Sequence, residues 1–202
     1  MISYNFYKRV YTFVMKHLFK IFFSSKFKYF GKNVAFISPD SIQGEEYIKI
    51  GENTLVNSMA WLLALKTDNI SPILDIGKNV YIGRFFHIVS IKEVIIQDNV
   101  LIADKVYISD NIHEYASIDL PIKEQAIQFK NKVIIGENSW IGENVSIIGV
   151  EIGKHCIIGS NAVVNSNIPD FCMAVGPPAK IIKKYNEKTK EWDKTDSKGE
   201  FL

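Results

Sequence analysis

Residues 135–164 read IGENSWIGENVSIIGVEIGKHCIIGSNAVV. An aliphatic residue opens each six-residue block: Ile135, Ile141 and Ile147, then Ile152, Ile158 and Val164. The same spacing runs upstream through Ile50 and Val56, through Ile76, Ile82 and Ile88, and through Ile96, Ile102 and Ile108. Gly or Ala follows the start at eight of these fourteen positions, and Asn stands three residues after it at Asn53, Asn79, Asn99, Asn138, Asn144 and Asn161. A period of six is neither the 3.6 of a helix nor simple alternation. Pairs two residues apart, such as Val100/Ile102 and Ala162/Val164, point to one side of a short strand. The intervening Gly and Asn tolerate positive φ and turn the chain. Three strand-and-corner units make a coil of about 18 residues, with successive coils about 4.8 Å apart. The expected fold is all-β, a parallel β-helix whose aliphatic columns are its core.

Composition fits one such domain. The chain has 202 residues, 47% of them apolar, enough for one core and short for two. Charged residues at 23% and aromatics at 12% exclude wholesale disorder. A net charge of +2 gives no reason to expect a nucleic-acid partner. The charge is unevenly placed, however. Residues 1–39 carry seven Lys/Arg and no acid, which leaves 17 bases against 22 acids in the remainder. Cys156 and Cys172 form no disulfide framework and lack metal-ligand spacing. No apolar run reaches the ~18–20 residues of a membrane span. Lys16 and Lys20, with no small-residue cleavage site after them, argue against a secretory signal. The expected setting is cytoplasmic, or peripheral on the inner face of the cytoplasmic membrane.

The stretch from IGENSWIGENV through IIGSNAVV to the IP step and GPPAK resembles the hexapeptide-repeat acyltransferases. Within them it is most similar to the maltose/galactoside O-acetyltransferase-like branch, which includes polysaccharide and O-antigen O-acetyltransferases. The resemblance covers roughly residues 70–185. It implies a left-handed parallel β-helix, a homotrimer with active sites between neighbouring subunits, and acetyl-CoA as donor. One departure is a five-residue step from Ile147 to Ile152 where the family has six with a Pro-Gly, which predicts a tightened corner.

Three segments flank or interrupt the repeat. Residues 1–30 form a basic amphipathic helical segment, with aromatic and aliphatic residues interleaved with Lys and His at near-helical spacing over 3–23. One reading packs that helix on the open end of the β-helix. The other lays it on an anionic membrane, with access to a lipid-linked glycan. The β-helix domain spans 31–180, with a break at 57–75 expected to form a bulged or extended coil and an inserted loop at 114–132. In that loop Pro121, Ile122 and Gln125 match a PI..Q element that follows the active-site segment in the resembling family. Residues 181–202 are expected to form a short helix and a charged tail.

Acetyl transfer to a sugar hydroxyl needs a base, donors for the tetrahedral oxyanion and a groove for the donor's long arm. Histidine is the natural base at neutral pH. Of the four, His17 lies in the N-terminal helix, His155 takes an Asn corner position, and His87 falls in the corner before Ile88. His113 ends the hexad begun by Ile108, immediately before the inserted loop. Its segment, ISDNIHEY, is similar to the family's catalytic-histidine segment, often Asp-His-x-His, with Asn111 in place of the first histidine. The resemblance therefore implies His113 as general base. Asp110 and Glu114 are the nearby carboxylates to orient it, and Asn111 is a sugar or oxyanion donor. It also implies a donor groove along Trp140, Gly142, Ser160 and Ala162, ending at Lys180 and Lys183. A Thr-Lys pair common in the family is Asn165-Ser166 here. Cys156 falls on the inward pattern and is expected in the core. No metal is expected, since His87 and His113 fall short of the three histidines of a gamma-class carbonic anhydrase site.

The leading expectation is acetyl-CoA-dependent O-acetylation of a bacterial surface polysaccharide or its precursor. Two alternatives stay open: N-acetylation of a nucleotide-linked amino sugar, and a non-catalytic β-helix that binds partners.

Overall fold

The computed structural model describes residues 3–67 and 69–202; the first two residues of the 1–30 segment and Asp68 of the 57–75 break lie outside them. The hexads wrap into a three-sided prism. Its first face stacks Tyr29–Phe30, Ile48–Ile50, Ile73–Ile76, Glu93–Ile96, Val133–Ile135 and Glu151–Ile152, all parallel. The second face runs from Ala35–Phe36 to Cys172–Val175, and the third from Ser41–Gln43 to Val163–Val164. In-register pairing puts each hexad start beneath the next, as Ile50, Ile76, Ile96, Ile135 and Ile152 do on the first face. These residues are fully or almost fully buried, and the columns form one continuous core.

The corners explain the repeat. Asn33, Asn53, Asn79, Asn99 and Asn138 all hold φ near +60° between the first and second faces. The amide of Asn53 donates to the Asn79 side chain at 3.2 Å and that of Asn79 to Asn99 at 3.1 Å, which joins successive coils. His155 takes the same corner position at φ +50°, a structural role that the sequence anticipates. Gly149 at φ +59° makes the tightened corner of the five-residue step.

Two expectations need correction. The break is shorter than 57–75, because Trp61–Ala64 is a regular third-face strand with Leu62 and Ala64 buried. The excursion begins only after it, and Thr67 and Ile70 close it with a bridge. The C-terminal segment is not a helix. Lys180–Asn186 and Glu191–Lys194 form an antiparallel hairpin that continues the second face from Cys172–Val175. The hairpin takes up the row of backbone groups that Cys172–Val175 would otherwise leave open, and Tyr185 packs across it on Trp192.

At the opposite end, α1 (Tyr4–Phe23) is capped by Ser3, whose hydroxyl accepts from the Phe6 amide. Its ring at Phe19 stacks on Phe36 with centroids 4.7 Å apart, and Phe27 and Phe30 close around the pair. Tyr11 bonds the Ser38 hydroxyl at 2.6 Å. The helix thus sits on the mouth of the prism, yet no residue of it is fully buried.

Candidate active site

The third-face strand Tyr107–Ser109 runs on into Asn111–His113, which pairs antiparallel with Ile127–Phe129. The insertion is therefore the outer part of a hairpin arm that leaves the prism at Asp110. Asp110 is 0% exposed. Its carboxylate accepts from the successive amides of Ile91 (3.0 Å), Lys92 (2.8 Å) and Glu93 (2.8 Å), and from the Asn111 side-chain amide (2.8 Å). The turn between the third and first faces leaves those three N–H groups without strand partners, and a carboxylate satisfies them together. The Asp110 carbonyl accepts from the Lys130 amide at 2.9 Å, while the Lys92 ammonium lies 4.5 Å from the centre of the Phe129 ring. Asp110 is thus the anchor of the arm and is not brought to the imidazole. Its order extends to the tip, where the Gln125 side-chain amide donates to the carbonyls of Ser117 (2.9 Å) and Leu120 (3.0 Å).

His113 is exposed on this arm. Strand alternation puts Asn111 on its side and Glu114 on the other. The Glu114 amide donates to Ala126 at 2.8 Å. His87 is placed differently from the expected corner. It lies in the strand His87–Ser90, stacked on Trp61 at 4.2 Å and 6°, with Tyr107 at 5.1 Å. Its Nε2 is buried with no hydrogen-bond partner among the described residues, and burial pushes its pKa below the ordinary value. A histidine between two aromatic rungs is the signal for this stack, and only coil register aligns the three.

The donor-groove residues gather at the second face and the corner that follows it. Trp140 is 49% exposed, and register aligns it outward with Ile157, Met173 and Lys183. Ser160 lines a cleft of about 300 Å³ with Lys105, Glu143, Asn144 and Asn161, none of which the sequence singled out for function. The Gly176–Lys180 segment crosses the same corner, and the Ala179 amide donates to the Val163 carbonyl at 2.8 Å. Gly142 is packed so closely on Ser160 and Ile158 that a Cβ there would meet their backbone. Ala162 is fully buried in the core, with its amide on the Gly159 carbonyl and its carbonyl accepting from the Ser146 amide, which corrects the expectation of a groove contact. Asn165 is exposed at the next corner, between the third and first faces. Cys156 is buried as expected, and its thiol is pushed up to about 12, chiefly by desolvation.

Residues 132–166 match the family described as the hexapeptide repeat of succinyl-transferase. "Probable acetyltransferase Rv3034c" of Mycobacterium tuberculosis is 46% identical over 111 residues, covering 54% of this chain and 37% of that protein's length. "Putative lipopolysaccharide biosynthesis O-acetyl transferase WbbJ" of Escherichia coli is 34% identical over 165 residues, covering 77% of this chain and 81% of the relative. The chain belongs to the hexapeptide-repeat acetyltransferases. The prism is accordingly the left-handed parallel β-helix of that family. The acetyltransferase fold also matches AntD, an N-acyltransferase from Bacillus cereus solved with dTDP and 3-hydroxybutyryl-CoA, at a TM-score of 0.68 and 23% identity over 86% of this chain and 89% of that one.

Proposed function

We propose that this acetyltransferase moves an acetyl group from acetyl-CoA to a sugar hydroxyl of a bacterial surface polysaccharide or its precursor, on the cytoplasmic side, with His113 as general base. The observation that carries the mechanism is the exposed imidazole on an ordered arm. The base takes the hydroxyl proton as oxygen attacks the thioester carbon, then returns it to the departing thiolate. Asn111, on the same side of the arm, supplies a donor to the sugar or the oxyanion, since only one of its two amide hydrogens is engaged by Asp110. The donor's arm runs past Trp140, Gly142 and Ser160, and its phosphates meet Lys180 and Lys183. Within one chain the arm and this groove occupy different corners of the prism. That separation accords with the homotrimer that the family resemblance implies, in which one copy's arm reaches the next copy's groove. An oxygen acceptor is favoured over an amine by the 34% identical O-acetyl transferase, whereas the N-acyltransferase shares the fold at 23%.

The test is acetyl-CoA turnover with a panel of O-antigen and capsule sugars, amino sugars included, for wild type and His113→Ala. The variant is expected to lose about 10²–10⁴-fold in turnover with unchanged circular dichroism. Near wild-type turnover would remove the base, and turnover confined to amino sugars would move the acceptor to nitrogen.

A further inference from the structure

The side of α1 that touches the prism carries Tyr11, Met15 and Phe19; all three are partly buried. At 100° per residue the opposite side carries Phe6, Val10, Phe13, Val14 and Ile21, each exposed, with one polar residue among them, His17, whose Nδ1 lies 2.7 Å from the Phe13 carbonyl. Arg9, Lys16 and Lys20 form a basic stripe along one border of that apolar sector. The charge of the segment is uniform: residues 1–39 hold seven Lys/Arg and no acid, although acids outnumber bases in the rest of the chain. Every described residue of the helix before Tyr11 is exposed, so its first half projects clear of the prism. No helix among the described residues is long and apolar enough to cross a membrane.

From this arrangement we infer that α1 lies in the surface of an anionic lipid bilayer, its Phe6–Val10–Phe13–Val14–Ile21 side sunk among the acyl chains. Arg9, Lys16 and Lys20 then meet lipid phosphates at the border. Charge is what selects the bilayer over a second copy of the helix. A twin α1 would bring the same basic stripe against itself, whereas anionic headgroups supply the missing countercharge. Partial seating on the prism leaves the helix fixed through Phe19 and Tyr11, so membrane contact requires no unfolding of the mouth.

The experiment is flotation of the full chain with vesicles of phosphatidylcholine containing phosphatidylglycerol, with pure phosphatidylcholine vesicles alongside. The full chain is expected to float with the anionic vesicles and to be released by high salt. Each basic residue near the surface is worth about five-fold in partitioning, so reversal of Arg9, Lys16 and Lys20 to Glu lowers it by 100-fold or more, roughly. Phe13→Asp combined with Ile21→Asp lowers it by about ten-fold or more, with helix content and acetyl-transfer rate on a water-soluble acceptor unchanged. The inference is overturned by unchanged flotation of either variant or by equal binding to pure phosphatidylcholine. It is also overturned if the Phe13/Ile21 variant changes the mass of the oligomer while leaving flotation intact, because the sector would then cover another copy.

Discussion

His87 and His113 lie on strands that issue from the same face, but their surroundings assign them opposite behaviour. His113 has an open ring on the arm, while His87 is sandwiched between Trp61 and Tyr107 with Nε2 unpaired among the described residues. Burial holds the His87 pKa below 6.5, so the folded chain keeps this ring neutral where the unfolded chain already takes up protons. The unfolded state therefore binds more protons as pH falls through that value, and stability is lost on acidification. His87→Phe keeps the stack and removes the titration. Its urea midpoint should fall less than that of the wild type between about pH 7.5 and about pH 5.5. Parallel falls in the two proteins would show that this ring does not set the dependence.

The arm is the element that differs most from the regular repeat, and one carboxylate fixes its root. Asp110→Ala leaves three corner amides without their acceptor, at about 1–3 kcal/mol for each buried donor, and with two of the three only partly buried a loss near the low end, at least about 3 kcal/mol, is expected. Limited proteolysis within 114–132 should accelerate in step with it; an arm equally resistant in the variant would place its anchor elsewhere. Much of the prism was legible from residue order because each core column is fed at a fixed interval and Asn marks most corners between the first and second faces. Leu62 escaped that reading because the corner before it holds positive φ at Met59, a residue that gives no turn signal. The C-terminal hairpin was hidden because a Lys/Glu-rich segment with scattered aromatics suits a helix equally well. Its strand state comes from the free row of Cys172–Val175, a long-range fact. At the site, adjacency in sequence placed Asp110 beside His113 but could not tell which way its carboxylate turns. Ala162 was foreseeable: its pairing with Val164 already pointed the methyl inward.

At the scale of the whole molecule, the arm and the proposed donor groove belong to different corners, so catalysis is expected to need neighbouring copies. Co-refolding His113→Ala with a variant inactivated in the groove, Lys180→Glu combined with Lys183→Glu, tests this. Random assembly pairs an intact arm with an intact groove at about a quarter of the sites, which should restore that fraction of activity. No recovery, despite mixed oligomers on native mass measurement, would return the site to a single chain. The two ends of the prism carry a separate consequence. A stack of parallel rungs has no intrinsic length, since every added rung presents the same bonding row to another molecule. Here Phe19 stoppers one mouth, and at the other end the Lys180–Lys194 hairpin turns back antiparallel on Cys172–Val175. The repeat that builds the enzyme is thereby kept from polymerising end to end, and its terminal elements act as chain stops as much as they serve chemistry.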